Sequence, residues 1–313
     1  LTRDAPPVVA GIVFNGCLPF SFPEVQAMKF LDVFQRPEKS VLDPKVAFTR
    51  WMQLGAWFEA HGYDIDVSHH LDDVRRFWES LPDDKRAKVR MPPAQDSRFH
   101  NPAEADVIVF TASRADEGPV ATIGMRRVWL ERSLAEMMSD LSFWYGDQAQ
   151  AMAGEGRTCA VSAPAAYELE SSHLGWFGGG INVSKDTKIY KALARAALFY
   201  VATHWQIKAV AAIVEGSTFR LHGFDWYGFT RCELGVWRDQ NEFLLASMSR
   251  RELITAAAMP GFCEAETPLK GFLRDQSRGL LPASLRALPA LTSPVPPPTA
   301  NFALESAEPG MVA

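Results

Sequence analysis

Residues 168–183 read ELESSHLGWFGGGINV. Two carboxylates, Glu168 and Glu170, and one imidazole, His173, lie close together at its start. Each is a candidate general base: a carboxylate serves once burial lifts its pKa toward neutrality, and a histidine needs less help. Gly178, Gly179 and Gly180 follow on what reads as a strand, where the lack of side chains lets a ligand or another backbone come close. Upstream, Arg126 and Arg127 in ATIGMRRVWL carry guanidinium forks that can grip a carboxylate or a phosphate. Metal chemistry is not expected. His69 and His70 are adjacent, so they point to different sides of a helix, and no Cys or further His stands at ligand spacing. Cys17, Cys159, Cys232 and Cys263 are scattered, with no C-x-x-C pair and no neighbouring His–Asp pattern. That spacing argues against a zinc knuckle, a disulfide framework and a cysteine nucleophile.

The 313 residues are 47% hydrophobic and 22% charged, the proportions of a soluble globular protein with a sizeable core. A net charge of −5 supplies no basic excess to neutralise phosphates, so a nucleic-acid partner is not expected. The scattered cysteines fit a reducing compartment, and the first residues lack the pattern of a signal peptide, so a cytoplasmic location is expected. The apolar stretch from Tyr190 to Val214 contains Lys191, Arg195, His204 and Lys208. It reads as a buried helix and strand, not a membrane span.

These residues need elements to position them. Residues 1–23, with Pro6, Pro7, Pro19 and Pro23, form a loop-rich lead-in. A helical extension over 24–95 is expected from EVQAMKFLDVF, from DPKVAFTRWMQLGAWFEAHG and from SHHLDDVRRFWESL. Asp43 caps the second, Pro44 suits its first turn and Gly62 ends it; Ser68 caps the third. Trp51, Trp57, Phe58, Phe77 and Trp78 fall at helical spacing and read as core. From Ala105 the pattern turns to strands, ADVIVFTAS and PVATIGMRRVWL, joined by the turn RADEG. A helix over SLAEMMSDLSFWYG carries Ser133 as cap with Glu136 three residues on. Strands GRTCAVSAP and SHLGWFGGGINVS, the helix IYKALARAALFYVATHW, the buried strand KAVAAIV, a short helix STFRLHGF and the strand YGFTRCELGVW complete the series. The Pro-, Ala- and Ser-rich residues 281–313 read as an extended or disordered tail. The main domain, 96–280, is therefore a mixed α/β sheet. Short turns give antiparallel pairs, and the strand–helix–strand at 176–214 is a crossover. No G-x-G-x-x-G turn is present, which excludes a doubly wound nucleotide fold.

Strand 176–184, helix 188–205, strand 208–214 and the piece ending His222-Gly223-Phe224 resemble the second half of the GCN5-related N-acetyltransferase (GNAT) fold. In that fold two parallel strands splay apart and an acyl thioester enters the gap. DSRFHNPAEADVIVFTASRADEGPVATIGMRR is similar to the acyl-homoserine-lactone (autoinducer) synthase branch, with Asp96, Gly124 and Arg127 on its motif positions. SLAEMMSDLSF places Met138 and Asp140 on the same branch's pattern, and YELESSHLGWF places Glu168 or Glu170 as its acid. The likeness spans roughly 95–235. It implies a GNAT-like, mixed, mostly antiparallel sheet flanked by helices, with the helical N-terminal extension packed on it. It also implies transfer of an acyl group from acyl-CoA or acyl carrier protein to the amine of a small amino-acid-like acceptor. On this reading Glu170, Glu168 or His173 takes the amine's proton, while Asp96, Asp140, Arg126 and Arg127 hold the acceptor. By composition alone, Trp176 with Phe177, Phe199 and Trp226 offers an apolar lining for a longer acyl chain. The backbone of Gly178, Gly179, Gly180, Ile181 and Val183 hydrogen-bonds the pantetheine amides. The fold's phosphate loop is here SKDTKIYKALA, without glycine, leaving Lys185 and Lys188 to meet phosphate by charge at a helix N-terminus. Acyl carrier protein therefore stands beside acyl-CoA as donor. The usual tyrosine acid is replaced by Phe219. These departures keep open a GNAT-shaped binding or assembly module without catalysis, and an enzyme whose acceptor is a protein amine.

Overall fold

In the computed structural model, which describes residues 42–87, 89, 91–215 and 228–264, helix α1 (Pro44–Ala60) starts and stops on the expected signals. The Asp43 carboxylate accepts from the Lys45 N–H at 2.7 Å, Pro44 takes the first position, and Gly62 turns the chain away at φ 73°. Trp51, Leu54 and Phe58 form the buried stripe of α1.

The segment read as wholly helical contains strand β1 (Asp64–Ser68) before helix α2 (Asp72–Ser80). β1 pairs antiparallel with β2 (Val107–Arg114), so this segment extends the sheet as well as packing on it. Asp64 and Asp66 are exposed while Ile65 and Val67 pack on the core, an alternation that keeps an edge strand charged. Ser68 closes β1, its hydroxyl bonded to the Asp73 carboxylate, instead of capping the helix.

β2 and β3 (Gly118–Leu130) form the expected hairpin. The helix expected from Ser133 onward is interrupted. α3 (Leu134–Ser139) has the Ser133–Glu136 capping box, then Leu141 adopts φ 69° and a separate helical turn covers Ser142–Tyr145. GRTCAVSAP yields only the short β4 (Cys159–Val161), followed by α4 (Pro164–Glu168). β5 (Ser172–Asn182), α5 (Thr187–His204) and β6 (Ala209–Glu215) stand where the pattern puts them. β7 (Arg231–Arg238) is followed by β8 (Asn241–Ser249) and helix α6 (Arg250–Ala258), neither of which the sequence pattern announces. Asp239 and Gln240 both take positive φ between β7 and β8, the conformation a two-residue hairpin turn requires.

The strands run in the order β1-β2-β3-β5-β6-β8-β7-β4. Every neighbouring pair is antiparallel except β5–β6, which the α5 crossover makes parallel. The protein is thus a mixed, mostly antiparallel sheet flanked by helices. One face is covered by α1, α5 and α6, over Phe110, Ile123, Val210 and Leu244. The other is covered by α3, α4 and the 142–145 turn, over Leu174, Trp176, Ala211 and Leu245. The expected helices EVQAMKFLDVF and STFRLHGF, with Phe219, Trp226 and the 281–313 tail, lie outside the described residues. Among the described residues no helix is long and apolar enough to cross a membrane.

Candidate functional site

β5 and β6 pair over three positions, Leu174–Ala209, Gly175–Val210 and Trp176–Ala211. Beyond them β5 stays on β3 as far as Asn182–Ala121, and β6 stays on β8 as far as Glu215–Phe243. Each strand is held by its outer neighbour, so the two diverge and a gap opens toward their C-terminal ends. A bulge lies at its head. Ile123 and Met125 on β3 face Gly180 and Phe177, so Gly124 alone opposes both Gly178 and Gly179. The extra residue bends the strand that carries it. Trp176 marks the head of the gap, and Arg126 sits beside it on β3.

Above and below the sheet the bulge glycines face other parts of the same chain. A Cβ on Gly178 would overlap the side chain of Gln95, and one on Gly180 would overlap the Thr122 carbonyl and lie 2.6 Å from the Tyr190 ring. The Gly180 N–H donates to the Tyr190 hydroxyl at 2.9 Å, and burial pushes that phenol up to about 12. At both positions the missing side chain makes room for another part of the same chain, which accounts for the glycines without a ligand. Ile181 and Val183 pack with Phe77 and Leu81, at the end of α2.

Gln95, fully buried in the turn Pro93–Gln95, spans the two strands: its side-chain N–H group reaches the Gly124 carbonyl at 3.3 Å and the Trp176 carbonyl at 3.5 Å. Both neighbours are acceptors, which orients the amide nitrogen toward them. Its Oε1, also buried, has no donor among the described residues. Arg126 is 5% exposed. One of its terminal nitrogens donates to the Phe143 carbonyl at 3.4 Å and the guanidinium lies 5.7 Å from the Phe143 ring centre, while its Nε has no partner among the described residues. Burial pushes the guanidinium down to about 9, with no carboxylate of the described residues to offset it, so it stays charged at neutral pH. Nearby, burial and then the Arg126 charge push His100 down to about 3, with Asp96 acting weakly the other way. The His100 Nε2 lies 2.9 Å from the Trp144 carbonyl, which makes that nitrogen the donor. Asp96 is itself buried, and Arg98 holds it at 2.5 Å.

A pH dependence follows from His100. Its folded pKa is depressed, so the neutral imidazole is native and the unfolded chain takes up a proton first. The His100 contribution is constant above pH 6.5 and lowers stability by up to about 1.4 kcal/mol per pH unit between there and pH 3. Denaturant titrations at stepped pH are expected to show a steeper loss in the wild type than in His100→Gln over this range; equal slopes would refute it.

At the N-terminus of α5 the Asp186 carboxylate accepts from the Lys188 N–H at 2.9 Å and from the Tyr63 hydroxyl at 2.9 Å, and Tyr63 accepts from Arg114 at 2.8 Å. A side-chain anion therefore occupies the helix end that a phosphate would use. The Lys185 and Lys188 side chains stand exposed beside it.

Other expected residues lie elsewhere. Glu168 ends α4 instead of standing on a strand, and it pairs with Arg231 at 2.6 Å. Arg231 holds its carboxyl below the usual range, the opposite of what a general base needs. Glu168, Lys208, Arg231 and Arg251 line a cleft of about 650 Å³ at the closed end of the β5–β6 pair, away from the gap. Glu170 is exposed in the loop before β5, and His173 packs edge-on against Trp129 at 4.9 Å. Arg127 points to the opposite face from Arg126 and pairs with Asp106 at 2.5 Å. Asp140 ends α3. Burial pushes its carboxyl up, but hydrogen bonds from Ser142 and Arg132 outweigh this and hold it low. Trp176 is enclosed by Phe143 and Trp144, and Phe199 stacks on Trp51, so both are core. The structure thus gathers Arg126 and Asp96 with Gln95 and His100. The last two lie in a proline-rich turn, and nothing in its local pattern marks a polar residue as buried. Among the described residues no group of three or more His, Cys, Asp or Glu could hold a metal ion.

No family model and no curated protein matches the chain. Among solved structures, AAC(6')-Ib in complex with paromomycin and acetyl-CoA is 10% identical, over 60% of this chain and 94% of that one, with a TM-score of 0.35. The same protein with ribostamycin and coenzyme A gives the same values. FeeM, an N-acyl amino acid synthase from uncultured soil microbes, is 14% identical over 68% of this chain and 95% of that one, with a TM-score of 0.28. Similarity at this level carries no argument about activity, which has to rest on the splayed strands and the buried polar cluster at their head.

Proposed function

We propose that this chain transfers an acyl group from a thioester to the amine of a small amino-acid-like acceptor, with its reaction centre at the head of the β5–β6 gap. The observation that carries this reading is the parallel pairing that stops at Trp176 and Ala211. An amide-bearing thioester arm laid in such a gap can take up strand hydrogen bonds, as an added peptide strand does. The amine nitrogen attacks the thioester carbonyl carbon, the N–C bond forms and the C–S bond breaks. The amine gives up one proton and the leaving thiolate takes one, so the products are an amide and a thiol. Backbone N–H groups at the β5 edge stabilise the oxyanion. The proton leaves to solvent water: Glu170, in the loop before β5, and His173, three residues before Trp176 and so on the opposite face of the strand, stand away from the reaction centre.

The Asp186 cap favours a donor that makes no pyrophosphate contact at α5, so an acyl carrier protein is preferred to acyl-CoA. The occupied positions at Gly178 and Gly180 favour the second reading, a module that binds without catalysis. Thermal-shift titration with CoA, acyl-CoA and acyl carrier protein, followed by mass analysis of products with amine acceptors, separates them. A ligand at 100 times its dissociation constant stabilises by about 2.7 kcal/mol. Stabilisation by a thioester together with an N-acyl product supports the enzyme. Stabilisation without product supports the binding module, and no response to any thioester overturns the reading.

A further inference from the structure

Two buried polar atoms at the head of the gap have no partner among the described residues, and their polarities are opposite. The Arg126 Nε is a donor within a cation that no carboxylate of the described residues offsets. The Gln95 Oε1 is an acceptor whose orientation is fixed by the two carbonyls that hold the other end of the amide. Leaving such groups unmet in a folded interior is costly, and a buried unpaired charge costs more than a neutral group. Both atoms belong to one face of the sheet. Gln95 lies against Gly124, 3.4 Å from where a Cβ would stand, and Arg126 is two residues further along β3 on the same side. Gly124 and Arg126 stand about 7 Å apart along β3, so the Gln95 amide and the Arg126 side chain start from positions that a small molecule's length can join. Both also adjoin Trp176: Arg126 is its cross-strand neighbour and Gln95 is bonded to its carbonyl.

We infer that this pair is the acceptor subsite and that the acceptor is a free α-amino acid, its carboxylate on Arg126 and its amine on the Gln95 Oε1. The inference rests on the acyltransferase reading above and makes it specific. A carboxylate supplies the negative charge that Arg126 lacks, and a charge-assisted bond to guanidinium is among the stronger hydrogen bonds. An amine donates where Gln95 can only accept, and this bond leaves the nitrogen lone pair free once its extra proton has gone. A protein lysine or an amine without a carboxylate satisfies Gln95 alone. Arg126 and Gln95 are thereby binding residues that set acceptor specificity, and neither takes the proton.

The test uses the full chain, with whichever thioester supports turnover, and an equimolar mixture of the twenty common amino acids. The best acceptor is then compared with its methyl ester and with its decarboxylated amine. The free acid is expected to be favoured in kcat/KM by about 30-fold or more over both, the factor that loss of one charged hydrogen bond gives. Arg126→Met keeps the volume and removes the cation. It is expected to raise KM for the free acid by a similar factor, to bring acid and ester within about threefold, and to unfold at the same or a higher temperature, because an uncompensated buried charge is gone. Arg126→Lys keeps the charge without the fork and is expected to retain part of the preference, which guards against a folding defect in the first variant. Equal use of the acid, ester and amine by the wild type overturns the inference while leaving acyl transfer standing. So does an Arg126→Met protein that keeps the wild-type preference. If no thioester is turned over at all, the acyltransferase reading fails first, and the inference goes with it.

Discussion

Trp176→Ala is expected to lower the free energy of unfolding by about 3–5 kcal/mol, the range for removing a buried large aromatic side chain. The indole is 1% exposed, lies edge-on to Phe143 at 4.6 Å and to Trp144 at 5.9 Å, and stands at the last position where β5 still pairs with β6. Edge-to-face contacts of this kind add to the area buried. Equilibrium denaturation in urea measures the loss directly, and Trp176→Phe should lose distinctly less. The sequence suggests instead that this residue lines the acyl chain. If Trp176→Ala changed chain-length preference at unchanged stability, the side chain would border the gap after all and its place in the core cluster would be refuted.

The contrast shows what local pattern can carry. The α1 boundaries, the Ser133–Glu136 capping box and the β2–β3 hairpin are written in residues a few positions apart, and each forms as read. The parallel crossover is legible too, because a long, almost wholly apolar helix between two apolar runs leaves little choice of topology. β8 is not. Its run NEFLLASMS has one aromatic and no β-branched residue, so an apolar stretch of that length fits a helix as well as a strand. Its turn is Asp-Gln without glycine. β1 is missed for the converse reason, since its two aspartates make it look like a loop.

The site is harder still, because it depends on which side of the sheet each residue faces. Arg126 and Arg127 are indistinguishable in the sequence, yet consecutive strand residues face opposite ways. One meets Asp106 and is neutralised; the other is buried without a carboxylate. Only the register against β5 assigns Arg126 to the head of the gap. Gln95 is invisible to pattern for a related reason: its partners are backbone carbonyls 29 and 81 positions away. The three glycines are the visible sign of that contact, but they say only that something comes close, not what.

Those glycines separate two kinds of close contact, and substitution should tell them apart. At Gly178 the obstacle to a Cβ is the flexible Gln95 side chain; at Gly180 it is the Thr122 carbonyl, which is backbone, together with the Tyr190 ring. Gly178→Ala is expected to destabilise by about 2 kcal/mol through overpacking. Combined with Gln95→Ala, which removes the obstructing atoms, its additional cost should largely vanish, a coupling of about 1–3 kcal/mol in the double-mutant cycle. Gly180→Ala should cost at least as much as Gly178→Ala alone, about 3 kcal/mol. Tyr190→Ala should rescue it only in part, because the strand carbonyl remains. Chemical denaturation of the single and double variants gives both couplings. Additive behaviour of Gly178→Ala and Gln95→Ala would mean that Gln95 does not occupy the bulge. Its Oε1 would then have no fixed direction, and the case for an amine held at the head of the gap would fall with it.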